Sequence, residues 1–240
     1  MEISDQIIYE DNHLLAINKL CGQITQGDKS GDEPLPEMIK EYIKRRDNKP
    51  GNVFCGVIHR LDRPVSGVVL FAKTSKALSR MNETIKNRAI QKTYWAISKG
   101  TPLPPDGELK DWLLRNEANN KTRIVDITTP GAKLAELDYH LACTTDGGYN
   151  MIEVMLHTGR HHQIRAQLAN IGCPIKGDLK YGAARSNPDG GISLHARSIS
   201  FIHPVRQEPV TITAAVPDDP IWHQIEQKMK EIEQTNLNIQ

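Results

Sequence analysis

At 240 residues the chain is long enough to bury one large core or two small ones. A net charge of +1 with 25% charged residues excludes a chain whose bulk charge alone would mark a nucleic-acid binder. Four cysteines, Cys21, Cys55, Cys143 and Cys173, lie far apart with no C-x-x-C pair, which argues against a zinc knuckle or a disulfide scaffold and fits a reducing cytoplasm.

Charge distribution is more informative than its sum. Lys and Arg recur through 40–49, 60–88 and 160–206, while the last thirty residues lean acidic, so a cleft can be basic on a neutral chain. The N-terminus "MEISDQIIYEDN" has no apolar signal region, and no apolar stretch approaches membrane-spanning length. A cytoplasmic soluble protein with no membrane partner is expected.

Residues 6–18, "QIIYEDNHLLAIN", read as strand, D-N turn and strand. "KSGDEP" is a loop. Pro36 sits in the first turn of a helix through "EMIKEYIKRR", where Met38, Ile39, Tyr42 and Ile43 share one face and Lys40, Lys44 and Arg45 form a basic, solvated one. "HRLDRPVSG" at 59–67 then interrupts two apolar runs with His59, Arg60, Asp62 and Arg63. Pro64 stiffens the turn and Gly67 permits a tight return into "GVVLFAK", which has the continuous apolar character of a buried strand.

Ser75 caps a helix to about Asn87, with Leu78, Met81 and Ile85 at helical spacing. "AIQKTYWAISKG" is a strand that points Lys92, Tyr94 and Ala96 one way and Thr93, Trp95 and Ile97 the other, the latter set core-like. Residues 101–131, rich in Pro, Gly and Asn, read as an irregular connection with one short strand. A hairpin follows: "LAELDYHLAC", "TTDGG", "YNMIEVML", with Leu137, Tyr139 and Leu141 alternating on one strand and Ile152, Val154 and Leu156 on the other.

After "HTGR" the period becomes helical, Ile164, Leu168 and Ile171 sharing a face until Gly172. A few short strands run to about Ala214. A last helix from Asp219 to about residue 234 carries Ile221, Ile225, Met229 and Ile232 inward, before a frayed tail. Strands joined by hairpins and loops, without regular crossover helices, predict an α+β fold with a mixed, mostly antiparallel central sheet flanked by helices and loops.

Three clusters carry chemistry. An ionised aspartate among guanidinium groups is a poor general base, but it suits a nucleophile or a counter-charge to a sugar cation. The alternative for Asp62 is a salt-bridged turn. In "HTGRHHQIR", a strand gives way to a helix start where Arg160 and unpaired N–H groups suit phosphate. His162 and Arg165 share a helix face there, and Arg165, near the buried edge, calls for an acidic partner. A metal reading of His157, His161 and His162 lacks the H-E-x-x-H pattern. In "KTYWA", Tyr94 suits stacking on a base or proton transfer; a half-buried structural tyrosine is the alternative.

"YEDNHLLAINK", "HRLDRPVSGVVLFAK", "KTYWA" and "LHTGRHHQIRAQLANIGCPIKGDLKYG", in this order, resemble the RluA-type family of RNA pseudouridine synthases over about residues 7–205. The resemblance implies the pseudouridine synthase fold with a catalytic cleft in a single catalytic domain over 1–240. It also implies isomerisation of uridine in RNA to pseudouridine, with no cofactor or metal. By position it makes Asp62 the catalytic aspartate, Tyr94 the active-site tyrosine and Arg165 the arginine that pairs with the aspartate. Arg60 matches the residue that enters the stack vacated by the flipped base, and Leu194 an apolar residue beside the flipped uracil. His59, Arg63, Lys92, Arg160 and His162 are the remaining RNA-binding candidates.

Val65 stands where the family often has Thr, Leu20 where Pro is usual and Gln26 where His is common, so the subgroup is not set. The chain begins at the first family motif, which implies recognition by the catalytic domain itself, of a compact tRNA or rRNA stem-loop, by a monomer. Two other readings are a catalytically silent RNA-binding protein on this fold and a metal-dependent hydrolase using the histidines. Retention of Asp62, Tyr94 and Arg165 together argues against the first; insensitivity to chelators would dispose of the second.

Overall fold

The computed structural model describes residues 2–27 and 31–237. Lys29 and Ser30 of the expected "KSGDEP" loop, and the tail beyond residue 237, lie outside the described residues. The chain divides into two compact units, Met1–Lys92 with Ala196–Ala215 and Thr93–His195 with Val216–Gln240.

In the first unit, β1 (Ile7–Glu10) and β2 (Leu14–Lys19) form the expected N-terminal hairpin. Its turn is built by Asp11, whose carboxylate accepts the N–H groups of His13 and Leu14 at 2.7 and 2.8 Å. β2 pairs antiparallel with β4 (Ser66–Ala72), which also pairs with the short β3 (Gly56–Val57). β10 (Leu194–Ile202) lies next to β4 and pairs antiparallel with β11 (Pro209–Thr213).

β4 is buried along its whole length, because both faces of the sheet are covered there. One face forms a core of Leu14, Ala16, Val68, Leu70, Ile199, Phe201 and Ile212 against Ala77 and Met81 of α2 (Ser75–Lys86). Each Leu, Ile, Val, Phe or Met among them stabilises by about 1.5–3 kcal/mol when removed from water.

α1 (Leu35–Arg46) carries Pro36 in its first turn, as expected, and buries Leu35, Pro36, Ile39 and Ile43. Its basic face is solvated and locally paired, Lys40 with Glu37 and Arg45 with Glu41. α2 is capped by Thr74 rather than Ser75. The Thr74 hydroxyl accepts the Ala77 N–H at 3.1 Å from an extended backbone, which places the first helical residue at Ser75.

The second unit is an antiparallel sheet in the order β5-β9-β8-β6-β7, with strands β5 (Ile90–Ser98), β6 (Asp106–Asn116), β7 (Lys121–Val125), β8 (Lys133–Thr144) and β9 (Asn150–Leu156). The expectation of an irregular 101–131 fails. β6 runs eleven residues, pairs with β8 from Asp106 to Leu113 and turns back into β7. Pro and Gly concentrate before and at its start, and its half-covered pattern carries too few apolar residues to read as a strand.

α4 (Pro220–Leu237) covers one face, packing Trp222 and Ile225 on Trp95, Ile97 and Met151. Asp219 caps it through the Ile221 N–H at 2.9 Å. Ile232 is 38% exposed and not inward: Met229 is the last residue of the helix in that cluster. α3 (Gln163–Asn170) covers the opposite face, with Ala166 against Leu113 and Ala135. The Gln167 amide donates to Leu109 O at 3.2 Å and to Asp111 Oδ2 at 2.8 Å. Four helices flanking a mostly antiparallel sheet make the fold α+β, as expected.

Candidate active site

Asp62 sits in the loop between β3 and β4, half-buried between the buried side chains of Leu61 and Val65. The Val65 N–H closes the turn on Asp62 O at 3.0 Å. From the end of β2, Lys19 reaches underneath. Its side chain is fully buried, and Nζ donates to Leu20 O at 3.0 Å, Arg63 O at 3.1 Å and Val65 O at 2.6 Å. The Gly22 N–H adds a bond to Arg63 O at 3.0 Å. Burial pushes the Lys19 ammonium down to about 8, against the pull of Cys21 and Asp62 and with the help of Arg63. The charged interruption noted in the sequence is therefore a turn held at its backbone.

Around it, Arg60 and Arg63 are exposed. Arg60 Nη1 donates to Gln26 Oε1 at 3.1 Å, and Arg63 pairs with Asp32. His59 Nε2 accepts the Leu70 N–H at 3.2 Å, which fixes the ring with its proton on Nδ1. Burial, and then the charge of Lys92, push His59 down to about 3, so it is neutral at physiological pH. Lys92 and His59 are thus brought together within the first unit.

In the second unit, Tyr94 lies cross-strand from Val154, which lies opposite Tyr139. This is the face that α3 covers. Trp95 points to the α4 face, as the strand alternation predicts, and its Nε1 donates to Glu153 Oε2 at 3.0 Å. Tyr94 is 7% exposed, more buried than an uncovered strand face would leave it. Leu194, at the start of β10, is buried.

Arg165, which calls for an acidic partner, meets Asp178. Nε meets Oδ2 at 2.6 Å and Nη2 meets Oδ1 at 2.9 Å, both side chains buried. Beneath the guanidinium lies the Tyr181 ring, 5.1 Å from its centre. The Tyr181 hydroxyl accepts the Thr122 N–H at 2.8 Å, donates to Thr122 O at 3.1 Å and lies 2.9 Å from His162 Nδ1. Burial and then the neighbouring cations, Arg165 first, push His162 down to about 2. It is buried and stacked on His161 with ring centres 3.7 Å apart, so it faces the scaffold. Arg160 is exposed, with Nε on Leu134 O at 2.8 Å.

The three histidines go to three separate partners. His157 pairs with Asp138, His161 lies 2.8 Å from Thr122 Oγ1 and His162 bonds Tyr181. No group of three metal-ligating side chains converges among the described residues. Lys19, Asp178 and Tyr181 were not singled out in the sequence. A lysine closing a strand run that is apolar from Leu14 to Ile17 was the available signal for the first; the other two lie within the long motif quoted above.

Residues 13–170 match the family profile described as RNA pseudouridylate synthase. The chain is 33% identical over 215 residues to ribosomal large subunit pseudouridine synthase C of Rickettsia felis, spanning 89% of this chain and 68% of that protein. It is 31% identical over 238 residues to tRNA pseudouridine synthase C of Haemophilus influenzae, spanning 92% and 95%. Among solved structures, human RNA pseudouridylate synthase domain containing 4 superposes with a TM-score of 0.76 at 21% identity, covering 95% of this chain and 94% of that one, a likeness of fold.

Proposed function

The chain belongs to the RNA pseudouridylate synthase family and is an RNA pseudouridine synthase; from that premise we propose which side chains carry the isomerisation and which RNA receives it. The reaction breaks the bond from uracil N1 to ribose C1′, turns the base and rejoins it through C5. A uracil inside a stem is out of reach, so the nucleotide is extruded, at a cost of a few kcal/mol.

Asp62 supplies the carboxylate on which glycosidic cleavage depends, and the observation that carries this is the turn clamped by Lys19. Tyr94 assists the late loss of the C5 proton, which is matched by the proton that N1 gains once it has left C1′. Arg165, its guanidinium held by Asp178, is the active-site arginine. Arg60 fills the stack the base has left, and Leu194 lies against the uracil. Arg63 and Arg160 grip phosphate, Lys92 lies among the RNA-binding residues, and His59 and His162 stand behind them.

The substrate is a compact stem-loop of ribosomal RNA or tRNA, and the names of the two relatives support both classes. The enzyme acts as a cytoplasmic monomer without metal or cofactor. Tritium release from 5-tritiated uridine in rRNA and tRNA transcripts tests the proposal. The intact protein releases tritium from at least one class, a chelator leaves the rate unchanged, and Asp62→Asn abolishes turnover while keeping RNA affinity. No release from either class, or Asp62→Asn activity within about tenfold of the parent, sinks the assignment.

A further inference from the structure

The lysines of the first unit divide into three kinds. Lys40, Lys49 and Lys73 have carboxylate partners, and Lys19 has its three carbonyls. Lys44, Lys76 and Lys86 stand in solvent. Lys92 alone, among the described residues of that unit, is withdrawn from solvent with neither a carboxylate nor a hydrogen-bond acceptor on its ammonium.

A cation in that condition is destabilising, because it has lost part of its hydration and gained nothing in return. Burial accordingly lowers its pKa, with no opposing charge to offset it. The neighbour it acts on, His59, offers no counter-charge, since Leu70 occupies its Nε2 and holds the ring neutral. Unpaid local costs of this kind mark positions where a ligand completes the site.

The position of the ammonium identifies the ligand. Lys92 precedes Tyr94 by two residues on β5, so both leave the strand on the same side. Its neighbour His59 belongs to the loop that carries Asp62. A uracil carbonyl is neutral and leaves a full positive charge uncompensated; a phosphodiester oxygen compensates it. We propose that Lys92 is an anion site for a phosphodiester oxygen of the RNA next to the target uridine. This deepens the reading of Asp62 as the catalytic group and rests on it for the identity of the nucleotide, but not for the binding of phosphate.

The test compares the parent with Lys92→Met and Lys92→Arg, using bulk tRNA, hexauridylate and hexauridylate with methylphosphonate linkages across a potassium chloride series. Lys92→Met weakens binding to bulk tRNA and hexauridylate about five- to tenfold and makes the log–log salt slope shallower by roughly 0.7–0.9. Lys92→Arg keeps the slope. On the methylphosphonate oligomer the parent loses its advantage over Lys92→Met. The melting temperature of Lys92→Met equals or exceeds the parent's, since an uncompensated charge is gone; a structural role would lower it.

Parent-like affinity and slope in Lys92→Met overturn the proposal, as does a parent that binds neither RNA at low salt. If no transcript releases tritium while Lys92→Met still loses affinity, the catalytic assignment falls and the anion site stands. If release proceeds and Lys92→Met binds as the parent does at every salt, the anion site falls alone.

Discussion

Arg165 and Asp178, thirteen residues apart, meet in a buried two-point ion pair at 2.6 and 2.9 Å. The geometry fixes the plane of the guanidinium, and the Tyr181 ring beneath it limits its tilt. Removing one member of such a pair takes two charge-assisted hydrogen bonds from a buried guanidinium. Asp178→Asn is expected to destabilise by roughly 3 kcal/mol, measured by urea denaturation. Its tritium release is expected to fall on the order of tenfold or more, because a displaced guanidinium no longer meets its target. A loss of stability under about 1 kcal/mol would show that the pair contributes less than its burial implies.

Lys19 performs the equivalent task for the Asp62 loop from the opposite end of the chain's first motif. Its three carbonyl acceptors belong to Leu20, Arg63 and Val65, and methionine would fill the volume without reaching any of them. Hydrogen bonds to charged groups contribute about 1.5–3 kcal/mol each, and removing the buried ammonium recovers part of its desolvation cost. Lys19→Met is therefore expected to lower unfolding free energy by roughly 2 kcal/mol or more. Equal urea midpoints for parent and variant would refute the anchoring role.

Acid sensitivity has a named source in Asp11. Burial raises its pKa, but the His13 and Leu14 N–H groups, the Tyr9 hydroxyl and the His203 charge outweigh that and hold it at about 2 against an ordinary 3.8. A carboxylate depressed in the folded state stabilises above its unfolded pKa, and the contribution is lost as pH falls through the folded one. At about 1.4 kcal/mol per pKa unit, that contribution is roughly 2 kcal/mol. The stability gap between the parent and Asp11→Asn should be full at pH 6 and shrink progressively from about pH 4 to pH 2. A gap that does not change over this window would place the stabilisation elsewhere.

Much of this was legible in the sequence, and the failures have physical causes. β4 and the β8–β9 hairpin announce themselves because burial on one or both faces writes a continuous or alternating apolar pattern. β6 does not, since its half-covered face carries Asp106, Glu108 and Lys110, which read as loop until β8 pairs with them. Asp62, Tyr94 and Arg165 stand out in the sequence because whole motifs surround them. Lys19 and Asp178 were not, since one acts through backbone carbonyls and the other through a contact thirteen residues away. Pattern reading detects periodicity and motif order; it does not detect which buried charge answers which.

Tyr94 separates packing from chemistry. Its ring is 7% exposed, so Tyr94→Phe keeps nearly all of the buried area. Stability should change by less than about 1.5 kcal/mol, the range for one hydrogen bond. If the hydroxyl accepts the C5 proton, turnover should fall by about 10²- to 10⁴-fold at unchanged RNA affinity. Turnover within about threefold of the parent would remove the hydroxyl from the mechanism and leave the ring as packing.

The approach of the chain behind the Asp62 loop depends on Gly67. Its φ is +111°, and a Cβ built there would lie 2.3 Å from Ala196 O and 2.6 Å from Ala196 N. Both obstacles are backbone, so no side-chain rotation relieves them, and the strand would have to move away from β10. Gly148 offers the control, because its φ of +70° is also left-handed but a Cβ there meets nothing within 4 Å. Gly148→Ala should cost only the intrinsic strain, about 1–2 kcal/mol. Gly67→Ala adds displaced backbone to that strain and should cost more than about 3 kcal/mol. The larger loss should come with lower turnover in the protein that remains folded, since the residue after Ser66 sets where the loop re-enters β4. Equal losses in the two variants, read from urea unfolding, would mean that the strand yields easily at this point and that the loop's position does not depend on the close approach.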